Sequence, residues 1–257
     1  MDTNEKQKLS VLIITLNEER YIKSLLEDID FADEVLVVDS FSTDKTVSII
    51  QSFPNVKLIQ NQFVNYTVQR NFALDKAQNS WILFIDADEK LDAKLKSEIL
   101  NTINDKNAAS AYLVHRTFMF KNKKLYFSGW QTDKIFRLFN KTKCRYTEDR
   151  MVHEKLIVHG KIGTLKNKII HFSYTSFRDY KAKMHQYGVL KANEKIKKGQ
   201  RSSYILMIFH PVYTFLYQYL IRLGFLDGAK GITICYLKAY SIFIRYKELF
   251  SLTSSKI

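Results

Sequence analysis

Trp81-Ile82-Leu83-Phe84-Ile85-Asp86-Ala87-Asp88-Glu89 joins an unbroken apolar run to an acidic turn. Such a run reads as a strand buried on both faces, as in a parallel sheet. Two carboxylates one residue apart, just past the strand end, can project into one cleft. Oxygen ligands of this kind suit hard cations such as Mg²⁺ or Mn²⁺, which substrate phosphates commonly share. The competing reading is a solvated turn whose Asp caps the next helix.

The same pattern recurs on the N-terminal side. Val11–Ile14 and Val35–Val38 are further buried strands, and Val56–Ile59 is a weaker one. Glu18–Asp28, Thr67–Ala77 and Asp92–Ile103 carry apolar residues at helical spacing. This alternation predicts an α/β fold with a mixed, mostly parallel central sheet flanked by helices. Ligands of such sheets bind beyond the carboxyl ends of the strands. Asn17-Glu18, Asp39 and Asp86–Asp88 each follow a different strand, so they should converge on one cleft.

Beyond residue 110 the pattern changes. Ala111–Phe120 and Lys123–Ser128 read as a hairpin, and Lys134–Phe139, Val152–Val158 and Lys168–Phe172 as extended pieces that complete the sheet. Phe177–Lys198 reads as a basic helix. Tyr204–Leu220 and Ile232–Phe243 form a C-terminal amphipathic helical extension, with Pro211 expected to break or start a helix. Both read as amphipathic helices lying in a membrane interface with Lys and Arg on the wet face; the alternative is a helical pair packed on the catalytic domain or across a dimer. The expected division is a flexible start at 1–8, a catalytic domain at 9–175 (nucleotide-sugar half 9–110, acceptor half 111–175), a helical region at 176–250 and a flexible tail at 251–257.

The 40 Lys+Arg exceed the 26 Asp+Glu, for a net charge of +14. That balance points to a polyanionic partner. The lysines are dispersed and no base-stacking motif is present, so no nucleic acid partner is expected. Anionic lipid and a phosphorylated substrate remain. Cys144 and Cys235 form neither a disulfide framework nor a metal pair, which fits a reducing compartment. The polar N-terminus does not read as a signal peptide. Together these features place the protein in the cytoplasm, peripherally associated with the inner face of an anionic membrane.

Four ordered stretches carry a family resemblance: VLIITLNEERYIKSLL (11–26), VLVVDSFSTDKTVSII (35–50), QRNFALDKA (69–77) and WILFIDADE (81–89). Together they resemble the family 2 glycosyltransferases of the GT-A, Rossmann-like fold. VHEKL (152–156), GKIGTLKNKIIHFSY (160–174) and GFLDGAKG (224–231) resemble the bacterial subgroup that builds lipopolysaccharide core sugars, notably β-glucosyltransferases. The resemblance implies that Thr15, Asn17 and Glu18 line the nucleotide pocket. It makes Asp39, with Ser40 beside it, the contact to the base edge, commonly uracil. It implies that Arg70 contacts the donor, that Asp86 binds ribose or sugar, and that Asp88 binds the metal. Where the family commonly has Asp-Gly-Ser-Thr-Asp, this chain has Asp39-Ser40-Phe41-Ser42-Thr43-Asp44.

The transfer also needs a base for the acceptor hydroxyl, on the side of the anomeric carbon away from the metal. Glu154 is the first candidate and Asp149 the second. His171 reads either as a further metal ligand or as a core histidine. Trp130 could stack on an acceptor sugar or fill the core. The expected function is an inverting transfer of a sugar from a UDP-hexose to a glycan or glycolipid, with a divalent Mg or Mn ion as cofactor. The alternative is a catalytically inactive sugar-nucleotide or anionic-polymer binder of the same fold.

Overall fold

The computed structural model describes residues 6–120, 123–130, 132–147, 155–174 and 176–254. They gather into two compact units. One holds residues 1–116 and 134–171, the other 117–133 and 172–257.

In the first unit, β1 (Leu9–Thr15), β2 (Glu34–Asp39), β3 (Val56–Gln60) and β4 (Trp81–Phe84) alternate with α1 (Ile22–Asp28), α2 (Thr46–Gln51) and α3 (Tyr66–Lys76). A two-residue β5 (Glu89–Lys90) and α4 (Ala93–Ile103) follow. Then come β6 (Ala111–Phe120), β7 (Lys123–Lys124), β8 (Lys134–Asn140), β9 (Cys144–Tyr146), β10 (Leu156–Val158) and β11 (Ile162–Tyr174), of which β7 and the last residues of β6 and β11 belong to the second unit. Among the described residues the main sheet runs β3-β2-β1-β4-β8-β6-β11-β5, with β7 beside β6. β1 pairs in parallel with both β2 and β4, and β2 with β3, whereas β8 runs antiparallel to β4. The sheet is therefore mixed, parallel in its first half, and of the GT-A type.

Apolar residues explain the layers. One face of the sheet packs Val11, Ile13, Val37 and Leu83 against Ile22 and Leu25 of α1, Ile50 of α2, and Leu95 and Ile99 of α4. The other packs Leu12, Val38, Ile82 and Phe84 against Ala73 and Leu74 of α3 and against Tyr146 and Leu156 of the small β9–β10 ladder. Strands covered on both sides must be apolar at every position, which is why they read as continuous runs. Asn65 and Asp92 cap α3 and α4 by accepting from the Val68 and Leu95 amides.

The second unit holds α5 (Phe177–Lys197), α6 (Tyr204–Leu216) and α7 (Ala229–Ser254). A π-helical turn, Tyr217–Ile221, and a 3₁₀ turn, Gly224–Asp227, lie between α6 and α7. Three expectations are corrected here. Ile232–Phe243 is the middle of one 26-residue helix, not a separate short one. Its Ile234, Leu237 and Leu249 are buried, so packing inside the unit extends it to Ser254, past the tail expected from residue 251. Pro211 neither starts nor ends α6 but sits within it. Proline removes one backbone hydrogen bond there; the contacts of Leu206, Met207 and His210 with α7 hold the helix together. Trp130 packs in this unit, its ring 4.0 Å from Phe118 and under the Lys238 ammonium at 4.4 Å.

Candidate active site

The chain runs outward from β1 through β2 to β3, then returns to β1's other side as β4. The sheet order therefore reverses between β1 and β4, and a crevice opens at the carboxyl ends of that strand pair. Thr15 ends β1, opposite Asp39 of β2. Asp86 lies two residues past β4. The ends of β2 and β4 are two strand spacings apart, roughly 10 Å.

Two loops are latched together on the β1–β2 side. Asn17 takes a left-handed conformation, φ 56°, which its short amide tolerates. Its amide N–H donates to Ser42 Oγ at 2.8 Å, and its Oδ1 accepts from the Thr43 amide at 2.8 Å. The Glu18 amide donates to Thr46 Oγ1 at 2.8 Å. Asp39 is fully buried; its carboxylate accepts from the Ser42 amide at 2.9 Å, from the Ser42 hydroxyl and from Gln60 Nε2 at 3.2 Å. Phe41 takes the positive φ of this loop, 62°, where glycine is the usual occupant, and its ring is half exposed. The Thr15 hydroxyl is buried and meets no hydrogen-bond partner among the described residues.

Helix α3 joins this side to the β4 side through consecutive residues. Gln69 donates to Ser40 Oγ at 3.0 Å. Arg70 donates to Asp86 Oδ1 at 3.3 Å, its guanidinium 5.0 Å from the Phe84 ring. Arg137 of β8 also pairs with Asp86 and reaches Glu89 Oε1 at 2.7 Å. Leu138 stands opposite Leu83, which puts Arg137 at the end of β4. Burial opposes ionisation of Asp86, but the charges of Arg137 and Arg70 outweigh it and hold the carboxyl far below the usual range.

The two aspartates of the motif thus have different partners. Asp88 turns to His171, with Oδ2 3.2 Å from Nε2. The antiparallel pairing of β11 with β5 sets His171 beside Glu89, and Nδ1 lies 3.4 Å from Glu89 Oε1. Burial pushes the imidazole pKa down, yet hydrogen bonds to Asp88 and Glu89 prevail and lift it to about 9. Glu89, whose side chain is fully buried, also accepts from the Asp86 amide at 3.0 Å and has Arg116 at 4.0 Å.

Glu89, Arg116 and Arg137 were not singled out from the sequence. A signal existed: Arg137 interrupts the apolar run Ile135-Phe136-Arg137-Leu138-Phe139, and a charge at such a position must find a buried partner. The proposed bases Glu154 and Asp149 lie outside the described residues.

Donor chemistry tests whether a divalent ion suits this crevice. Asp88 Oδ2 and His171 Nε2 are 3.2 Å apart. Adjacent ligands of an octahedral ion bound at about 2.1 Å stand about 3.0 Å apart. The pair therefore fits one edge of such a site once an incoming ion displaces the imidazole Nε2 proton. Among the described residues no group of three or more His, Cys, Asp or Glu is arranged to hold a metal. Two protein ligands suit an ion that is shared with phosphates and water.

The chain belongs to glycosyl transferase family 2, whose profile matches residues 10–165. It is 28% identical to the lipopolysaccharide core biosynthesis glycosyltransferase LpsC of Rhizobium meliloti, over 94% of each chain. It is 32% identical to a Rickettsia bellii protein described as an uncharacterized glycosyltransferase, over 95% of this chain and 86% of that one. Among solved structures, Staphylococcus aureus TarS 1–349 in complex with UDP aligns over 97% of this chain and 92% of that one, with a TM-score of 0.49 and 17% identity.

Proposed function

We propose that this glycosyltransferase moves a hexose from a UDP-sugar to a glycan or glycolipid acceptor in lipopolysaccharide core synthesis, with inversion and with a divalent ion. The reading places it at the cytoplasmic face of an anionic membrane. One observation carries the chemistry: Asp88 and His171 form a close carboxylate–imidazole pair beside an Asp86 already neutralised by two arginines. Similarity to the Rhizobium protein supports the acceptor class.

Asp88 and His171 would hold the ion, and Mg²⁺ or Mn²⁺ suits the donor set. When bound, the ion offsets the charge that builds on the departing diphosphate. Arg70 and Arg137 fix Asp86 so that its free lone pairs can accept from ribose or sugar hydroxyls. The buried Thr15 hydroxyl offers a hydrogen bond to the nucleotide, and Asn17, Glu18, Asp39 and Ser40 shape the pocket for its base. Glu154 takes the proton of the acceptor hydroxyl, with Asp149 as the second choice. Attack opposite the leaving diphosphate inverts the anomeric centre.

The test measures UDP-hexose binding by calorimetry and transfer by UDP release, both with Mn²⁺. Asp88→Ala is expected to abolish transfer. Glu154→Gln should bind donor normally and lose transfer by about 10²–10⁴-fold. Normal transfer by Glu154→Gln rejects that base.

A further inference from the structure

Helix α6 is apolar on two opposite faces. Leu206 and Met207 pack with Tyr246 and Leu249 of α7, and the His210 ring lies 4.9 Å from that of Tyr246. A second stripe points away from these contacts: Ile205, Ile208, Phe209, Val212, Leu216 and Leu220. Their spacing of three, four or eight residues keeps them on one side of the helix. Ile205 is 77% exposed and Phe209 62%, and no residue of the helix is buried. Large side chains left in water along a whole helix mark a surface with an apolar partner.

Charge selects the partner. From Lys195 to Leu226 the chain carries Lys195, Lys197, Lys198, Arg201 and Arg222, with no Asp or Glu. A second copy docked through this stripe would bring two such basic segments together, and like charges would oppose the contact. An anionic bilayer offers both apolar depth and opposite charge.

We infer that α6, with the π-helical turn after it, lies flat in the headgroup region of an anionic bilayer, its exposed stripe toward the acyl chains. Residues 204–221 are apolar and long enough to count as a candidate span. As a helix they measure about 27 Å, slightly under the roughly 30 Å hydrocarbon core. The opposite face of α6 is covered by α7, so lipid cannot surround it, and the flat arrangement follows. Helix α7 is then the support rather than a second anchor. This inference deepens the membrane reading above and rests on it, but it requires neither the metal nor the proposed base.

The test floats the full chain with phosphatidylcholine vesicles, with or without phosphatidylglycerol. Wild type should bind only the anionic vesicles, and added salt should weaken binding. Ile208→Asp and Phe209→Asp should each weaken it by about tenfold or more, with unchanged circular dichroism and unchanged donor hydrolysis. If wild type binds no vesicle, both this inference and the membrane reading fall. If wild type binds and both variants bind equally well, α6 is not the anchor, while the membrane reading survives. If the variants instead dissolve a dimer seen by light scattering, the stripe belongs to a second copy and the inference is overturned.

Discussion

Around Asp86 each buried charge meets an opposite one, whereas along one face of α6 large apolar side chains stand exposed. The first unit places Asp86 and Glu89 against Arg137, with Arg70, Arg116 and His171 around them. The second leaves Ile205, Ile208 and Phe209 exposed. A strand-end crevice can keep ionised groups out of water only if they compensate one another. A helix can keep an apolar stripe only if something outside the chain covers it. The contrast separates a region whose charges compensate one another from one whose apolar face stays uncovered within its unit.

The comparison breaks most readily at Arg137. Arg137→Met removes the shared partner of the buried Glu89 and the partly buried Asp86 and should lower stability by about 3–5 kcal/mol, read as the urea midpoint of unfolding. Adding Glu89→Gln should recover part of that loss, because one uncompensated charge disappears with it. An unchanged midpoint for Arg137→Met would mean that the cluster is not compensated as described.

A smaller effect tests the packing of α7 against α5. Gly188 of α5 faces α7 so closely that a Cβ there would lie 2.7 Å from the Ser241 carbonyl oxygen and 2.8 Å from Ile244. Gly188→Val should overpack this contact and cost about 1–3 kcal/mol, visible as a lower thermal midpoint. No loss of stability would show that α5 and α7 are not closely packed.

The smallest effect is a pH dependence. Burial pushes the Lys238 ammonium down from 10.5 to about 8; it donates to the Ser128 carbonyl at 3.0 Å. The unfolded chain therefore binds more protons than the folded one between those values, so stability should rise with pH across that window and level off below it. Lys238→Met should lose this slope in urea titrations run at several pH values. A slope that persists in the variant assigns it to another group.

Much of the first unit was legible because its signals are local. Continuous apolar runs mark strands covered on both faces, and acidic or amide residues directly after them mark the crevice edge. Asp39, Asp86 and Asp88 could be placed at strand ends without knowing the pairing. Their partners could not. Arg137 reaches Asp86 only because β8 runs antiparallel beside β4, and His171 reaches Asp88 only because β11 pairs with β5. Such contacts join residues far apart in the chain, and no local periodicity encodes them.

The same division holds at the C-terminal end. Composition alone showed an aromatic, aliphatic and basic stretch suited to a bilayer surface or to helix packing, since burial and membrane insertion select the same side chains. Tertiary packing decided between them for α7, where Ile234, Leu237 and Leu249 are enclosed. It also left α6 with one covered and one open face. The sequence by itself determined the succession of apolar strands along the chain, the acidic strand ends and the family. The tertiary structure decided which charges neutralise one another and which apolar faces stay uncovered, because both depend on neighbours that only the folded chain supplies.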